Sequence, residues 1–156
     1  MIKVSIPGRG DLELHHLVLD MNGTLTTDGL LPEGVAPLIE QLMGQLHIHL
    51  LTADTFGTGA QVAQELGIKM FTVCSDHERA DKANFIAALN PAGTAAIGNG
   101  NNDLEMFKQA DLSIAVIGQE GCSVAALLYA DIAVTNIIDA LNLLLHPMRL
   151  RATLRR

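Results

Sequence analysis

The chain has 156 residues, 49% apolar and 17% charged, which excludes a disordered polymer and fits one domain, 1–156, with a core of its own. Its formal charge of −7 is uneven: the closing RLRATLRR holds four of the ten Lys and Arg, and the acidic remainder argues against general nucleic-acid binding. Cys74 and Cys122 lie far apart, as suits a reducing cytoplasm, and neither a signal peptide nor a window of ~18 apolar residues for a membrane span is legible.

In chain order, MIKVSI and part of LELHH read as an antiparallel extension at one sheet edge, with PGRGD as the turn. Short apolar runs then predict strands at 15–20, 47–53, 70–74, 94–99, 112–118 and 131–136. Helical patterns fall between and after them, at 32–44, 58–67, 78–90, 103–110, 121–130 and 137–146. Pro32 suits a helix start, and Gly44 and Gly67 suit helix ends. Regular strand–helix alternation predicts right-handed crossovers and a mainly parallel α/β sheet with helices on both faces. The Arg-rich tail, 147–156, reads as a solvated helix end, with an interaction arm as the other reading.

In such a sheet ligands bind beyond the carboxyl ends of the strands. Three of those ends are unusually polar: Asp20, Asn22 and Thr24 in DMNGTLT; Thr52 and Asp54 in LLTADT; Asn99, Asn101, Asn102 and Asp103 in IGNGNND. A helix adds Lys82. Each cluster alone is ordinary turn chemistry. Together they suit phosphoryl transfer. A carboxylate such as Asp20 can accept a phosphoryl group, and the incoming anion needs compensation from Lys, hydroxyls and Mg²⁺. Mg²⁺ needs only one or two carboxylates, which Asp20 and Asp103 supply; Thr52 and Lys82 suit the phosphoryl oxygens.

DMNGTLT, LLTADT, Lys82 and GNGNND, in that order, resemble the four motifs of the haloacid dehalogenase superfamily of phosphatases and phosphotransferases. The closer likeness is to the phosphorylation domain of P-type ATPases, over roughly residues 15 to 140. GTLT resembles the tail of DKTGTLT, and GNGNND resembles GDGxND. The resemblance implies a Rossmann-like three-layer sandwich and Mg²⁺-dependent hydrolysis through an aspartyl-phosphate at Asp20. It implies that Asp20, Asn22 through its backbone carbonyl, Asn99 and Asp103 hold the metal. Thr24, Thr52 and Lys82 would bind the phosphoryl group, and Asp54 matches a further polar position. The substrate class implied is a small phosphorylated molecule or a phosphoprotein.

The motif spacing leaves no room for a nucleotide-binding domain or a large cap, so the chain is expected to be a capless member and not a pump. Capless members act on large substrates or close their site by oligomerising, which leaves a homo-oligomer open. Two departures bear on chemistry. Asn22 stands where phosphatases carry a second Asp as general acid and base, worth roughly 10²–10⁴-fold, so turnover is expected to be slow. Asn99 stands where GDGxND has a metal-binding Asp. Both departures keep a second reading open: a catalytically degenerate domain that binds a phosphate ligand or a protein partner without turnover.

Other constellations carry less. His47 and His49 share a strand face, while His15 and His16 point to opposite faces, with no further ligand at metal-site spacing. GNGNND lacks the third glycine of a dinucleotide fingerprint. A receiver domain would need an acidic pair before its acceptor and a Lys at a strand end, an order this chain does not have.

Overall fold

The computed structural model describes residues 1–54, 57–89 and 93–156. Strands β1 (Ile2–Ile6) and β2 (Gly10–Leu14) form an antiparallel hairpin. It is hydrogen-bonded as a two-stranded sheet of its own and is not joined to an edge strand. After it come β3 (His16–Asp20), α1 (Val35–Met43), β4 (His47–Thr52), α2 (Gly59–Leu66), β5 (Lys69–Thr72) and α3 (Glu78–Leu89). Then follow β6 (Thr94–Gly98), α4 (Leu104–Gln109), β7 (Leu112–Val116), α5 (Val124–Tyr129), β8 (Ile132–Val134), α6 (Ile137–Leu145) and α7 (Pro147–Leu154).

The main sheet has six parallel strands in the order β5-β4-β3-β6-β7-β8. From β3 the chain first winds outward through β4 and β5, then returns to build β6, β7 and β8 on the other side. The winding therefore reverses between β3 and β6, where open α/β sheets form their ligand crevice. Asp20 ends β3 at that reversal.

Alternation along the central strands builds two apolar layers. Leu17 and Leu19 of β3 point to a core shared with Ile39 of α1, Val62 of α2, Leu141 of α6, Leu150 of α7 and the hairpin. Val18 points the other way, to Ile86 of α3, Met106 and Phe107 of α4 and Ala126 of α5. Burying one Leu completely contributes roughly 1.5–3 kcal/mol, so the fully buried Leu17, Leu19 and Leu50 strongly resist any register slip.

The expected boundaries hold with small shifts. Helix α1 starts at Val35 and not at Pro32, because Gly34 turns left-handed (φ 88°) directly before it. Gly44 and Gly67 stand at helix ends; Gly67, at φ 67°, lets the chain leave α2. The expected α3 end at Asn90, and Thr55 of LLTADT, lie outside the described residues. The Arg-rich segment forms α7, with Pro147 in its first turn and Leu150 buried.

Candidate active site

Asp20 is placed by β3, a central strand of the sheet, and only 4% of it is exposed. Lys82 comes from α3, which covers that face, and its side chain is wholly buried. Lys82 Nζ donates to Asp20 Oδ1 at 2.6 Å and to Asp103 Oδ1 at 2.8 Å, and lies 3.1 Å from Glu78 Oε1. A lysine at that depth is stable only among such partners. Burial pulls its pKa down, but Asp20, Asp103 and Glu78 outweigh this, so the ammonium stays charged.

Asp103 is fixed from the opposite side. Its Oδ2 accepts the Asn99 and Gly100 backbone N–H groups, both at 2.9 Å, in the tight turn before α4. That turn needs glycine at position 98: a Cβ there would stand 2.5 Å from Asp103 Cγ. Gly23 is required for a parallel reason, with φ 77° and a Cβ position 2.5 Å from Asn99 Nδ2. Motif one and the β6 loop are therefore packed backbone against side chain.

Thr24 joins the two halves, its hydroxyl lying 3.0 Å from both Asp20 Oδ2 and Asn99 Oδ1. The Asn99 amide also donates to the Gly121 carbonyl at 3.1 Å. Asn22 follows Asp20 by two residues, and its Oδ1 is buried without a hydrogen-bond partner among the described residues. Thr52 ends β4 one step beyond Leu51, the register partner of Asp20, and is also buried. Its hydroxyl accepts the Asp54 N–H at 2.8 Å. The Asp54 carboxylate in turn accepts the Gly59 N–H at 2.7 Å, so Asp54 anchors the start of α2.

Burial, then the Asp103 charge, push the Asp20 carboxyl up to about 7, while Lys82 and the Thr24 hydroxyl pull it down. Three carboxylates surround one ammonium here, and the side-chain groups of Asp20, Asp103, Asn99 and Thr24 offer a cation oxygen atoms. That set suits a hard, oxygen-ligated cation, which tolerates an amide oxygen and keeps several waters. The unpartnered Asn22 Oδ1 fits the same environment, since a metal-bound water would give it a donor. Among the described residues no three His, Cys, Asp or Glu side chains already converge as a metal site.

The structure thus joins Asp20, Thr24, Lys82, Asn99 and Asp103 by hydrogen bonds, and sets Asn22 and Thr52 on the adjoining strand ends. Glu78 escaped sequence reading, as did Arg79, whose Nε donates to the Asn101 carbonyl at 3.1 Å. Glu78 lies one helical turn before Lys82 and also accepts from Asn102 Nδ2 at 2.6 Å. Its i,i+4 spacing to Lys82 was the available signal.

A family profile of haloacid dehalogenase-like hydrolases matches residues 77–119. The uncharacterized protein MJ0073 of Methanocaldococcus jannaschii is 57% identical over 60 residues, 38% of this chain and 64% of that protein. The probable cation-transporting ATPase G of Mycobacterium tuberculosis is 34% identical over 99 residues, 63% of this chain but 12% of the ATPase. The chain therefore spans under two thirds of either relative. Among solved structures, the cobalt-bound deoxy-D-mannose-octulosonate 8-phosphate phosphatase of Haemophilus influenzae superposes with a TM-score of 0.73. That match is 16% identical and covers 90% of this chain and 92% of the phosphatase. The chain thus shares the fold of that phosphatase, residues 77–119 match the haloacid dehalogenase-like hydrolase profile, and the described residues include no cap.

Proposed function

We propose that this chain is a Mg²⁺-dependent phosphatase that works through an aspartyl-phosphate on Asp20. The observation that carries the reading is the wholly buried Lys82 ammonium bridging Asp20 and Asp103. A buried pair is weak evidence for stability, so its presence favours a chemical task for the cluster. Asp20, the Asn22 backbone carbonyl, Asn99 and Asp103 would hold the metal. When bound, Mg²⁺ would supply neutralising charge for the phosphoryl oxygens.

The residues divide the work. Lys82, Thr52 and Thr24 bind and orient the phosphoryl group. An Asp20 oxygen attacks phosphorus while the bond to the leaving oxygen breaks, and that oxygen departs with the electron pair and takes a proton from solvent. Water then attacks the phosphorus and yields a proton to solvent as the bond from phosphorus to the Asp20 oxygen breaks, releasing phosphate and regenerating the Asp20 carboxylate. The Asn22 amide cannot take or give a proton, so this second step is slow. The substrate is a small phosphorylated molecule or a phosphoprotein.

The degenerate alternative, binding without turnover, is favoured by one observation. The Asn99 amide is already engaged by Thr24 and Gly121, and it brings no charge to a metal. Intact-protein mass after incubation with acetyl phosphate and Mg²⁺ separates the two. One added phosphate on the parent, absent from Asp20→Asn, is the expected result. No added mass and no release of inorganic phosphate would leave the binding reading.

A further inference from the structure

A groove of about 750 Å³ opens beside motif one, between the Thr27–Leu30 turn, the loop after β7 and the start of α6. Its inner end is formed by Gly23 and Thr24, and the Thr24 hydroxyl lies 3.0 Å from Asp20 Oδ2. The groove is a size that accepts a small organic molecule. Its walls are not loose. Thr27 and Leu30 exchange backbone hydrogen bonds of 3.0 and 2.9 Å, and the Thr58 hydroxyl donates to the Gly29 carbonyl at 3.0 Å, tying the turn to the chain entering α2.

Charge around Asp20 is lopsided. The cation touching Asp20 is Lys82, on the α3 side, with Arg79 further along the same helix. On the groove side the charged lining groups are Asp28 and Asp139, and no Lys, Arg or His among the described residues lines it. Glu120 adds a third carboxylate at the rim, accepting the Asp28 N–H at 3.2 Å. Asp139 is held by Asn136, whose amide donates to it at 2.7 Å. Leu30, Leu31, Pro32 and Ile138 supply apolar wall. A phosphoryl group drawn toward Lys82 would leave the rest of its ester facing this acidic, partly apolar groove. A second anionic group there would meet carboxylates with no cation to compensate it.

We propose that the groove holds the alcohol portion of a phosphomonoester, and that it selects uncharged or cationic leaving groups with an apolar part over those carrying a carboxylate or second phosphate. This rests on the phosphoryl-transfer reading of Asp20. The specificity-determining residues are Asp28 and Asp139.

The test uses the full chain with Mg²⁺ and follows inorganic phosphate release. Hexyl phosphate and phosphocholine are compared with 3-phosphoglycerate and glycerol 1,3-bisphosphate. The first pair is expected to lead by about tenfold or more in kcat/KM, the scale on which a mismatched charge discriminates. Asp28→Lys should narrow that ratio by a similar factor, mainly by improving the anionic pair. Asp139→Asn, which keeps a side chain able to bond Asn136, should narrow it less and covers the case in which Asp28→Lys does not fold. Equal or better turnover of the anionic pair, turnover of no ester, or a ratio indifferent to both substitutions would overturn the assignment. Acetyl phosphate labelling of the parent separates the layers. Labelling, or release of inorganic phosphate from acetyl phosphate, with any of those outcomes sinks the groove alone; neither labelling nor release sinks the phosphoryl reading and the groove with it.

Discussion

The two ends of the central strands β3 and β4 handle polar side chains in opposite ways. At the carboxyl end, Asp20 is buried at the sheet's switch point and matched by Lys82 at 2.6 Å, with Thr52 beside it. At the amino end, His16, His47 and His49 share a face of the same strands. His16 Nδ1 lies 3.3 Å from His49 Nε2, and the His49 ring packs against Phe71 and Phe85 at centroid distances of 6.0 and 5.4 Å. There the matching is incomplete: His49 Nδ1 is buried without a partner among the described residues. Burial first, then the neighbouring His16, His47 and Lys69, hold His49 down at about 4. His16 is lowered too, by burial and then by His47 and His15. One end concentrates charge and satisfies it. The other discards charge and packs its rings as aromatic surface.

The largest effect should come from breaking the matched end. Lys82→Met leaves Asp20 and Asp103 buried without their ammonium, and should cost about 3–5 kcal/mol, read as a fall in the urea midpoint. The same variant should take no phosphate from acetyl phosphate. Next, Asn22→Asp restores a proton-transferring group beside Asp20. It should speed decay of the phosphorylated chain by about 10²-fold in a mass time course, and an unchanged decay would remove Asn22 as the cause of slow release.

The histidine end should respond more weakly. His49→Leu removes one unpaired buried nitrogen but also the ring nitrogen 3.3 Å from His16 Nδ1, so stability should change by about 1 kcal/mol or less. It should also alter the pH profile. Unfolded His49 takes a proton near 6.5, its folded form only at about 4, so the unfolded chain binds more protons between those values. Stability from this residue is fully present above 6.5 and is lost as pH falls toward 4. The loss should shrink in His49→Leu.

The smallest change is expected from Asp20→Asn. Its carboxyl titrates at about 7 in the folded chain and 3.8 in the reference state, so the parent loses stability as pH rises through that window. An amide has no such dependence. At pH 8, without metal, the variant should be no less stable than the parent and within about 1 kcal/mol of it, the pattern of a site kept for chemistry at a cost to stability. A clear destabilisation would mean that Asp20 is retained for structure.

Much of this was legible in the chain because it depended on local pattern. The strand from His16 to Asp20 declared itself by its apolar run, and its polar end by DMNGT. Glu78 was missed because its meaning depends on Lys82 turning inward, and a charged pair at i,i+4 on a helix is usually solvated. Asp54 looked like a site residue beside Thr52, yet its carboxylate anchors α2, a distinction set by which way a short loop turns. The hairpin and its antiparallel pairing were legible, but its separation from the main sheet was not, since sheet partners depend on contacts distant in sequence.

By itself, then, the sequence determined the α/β alternation, the order of the four motifs and the residue types at the strand ends, because periodicity, turn chemistry and spacing are properties of neighbours along the chain. Only the tertiary structure decided that Lys82 lies within hydrogen-bonding distance of both Asp20 and Asp103, that Asn99 is clasped by Thr24 and Gly121, and that an acidic groove flanks Thr24. Those relations come from a strand order that brings β3 beside β6 and lays α3 across them. They join residues 20, 82 and 103, which no local rule connects and which meet because burying the apolar faces of the sheet leaves few other places for them to be.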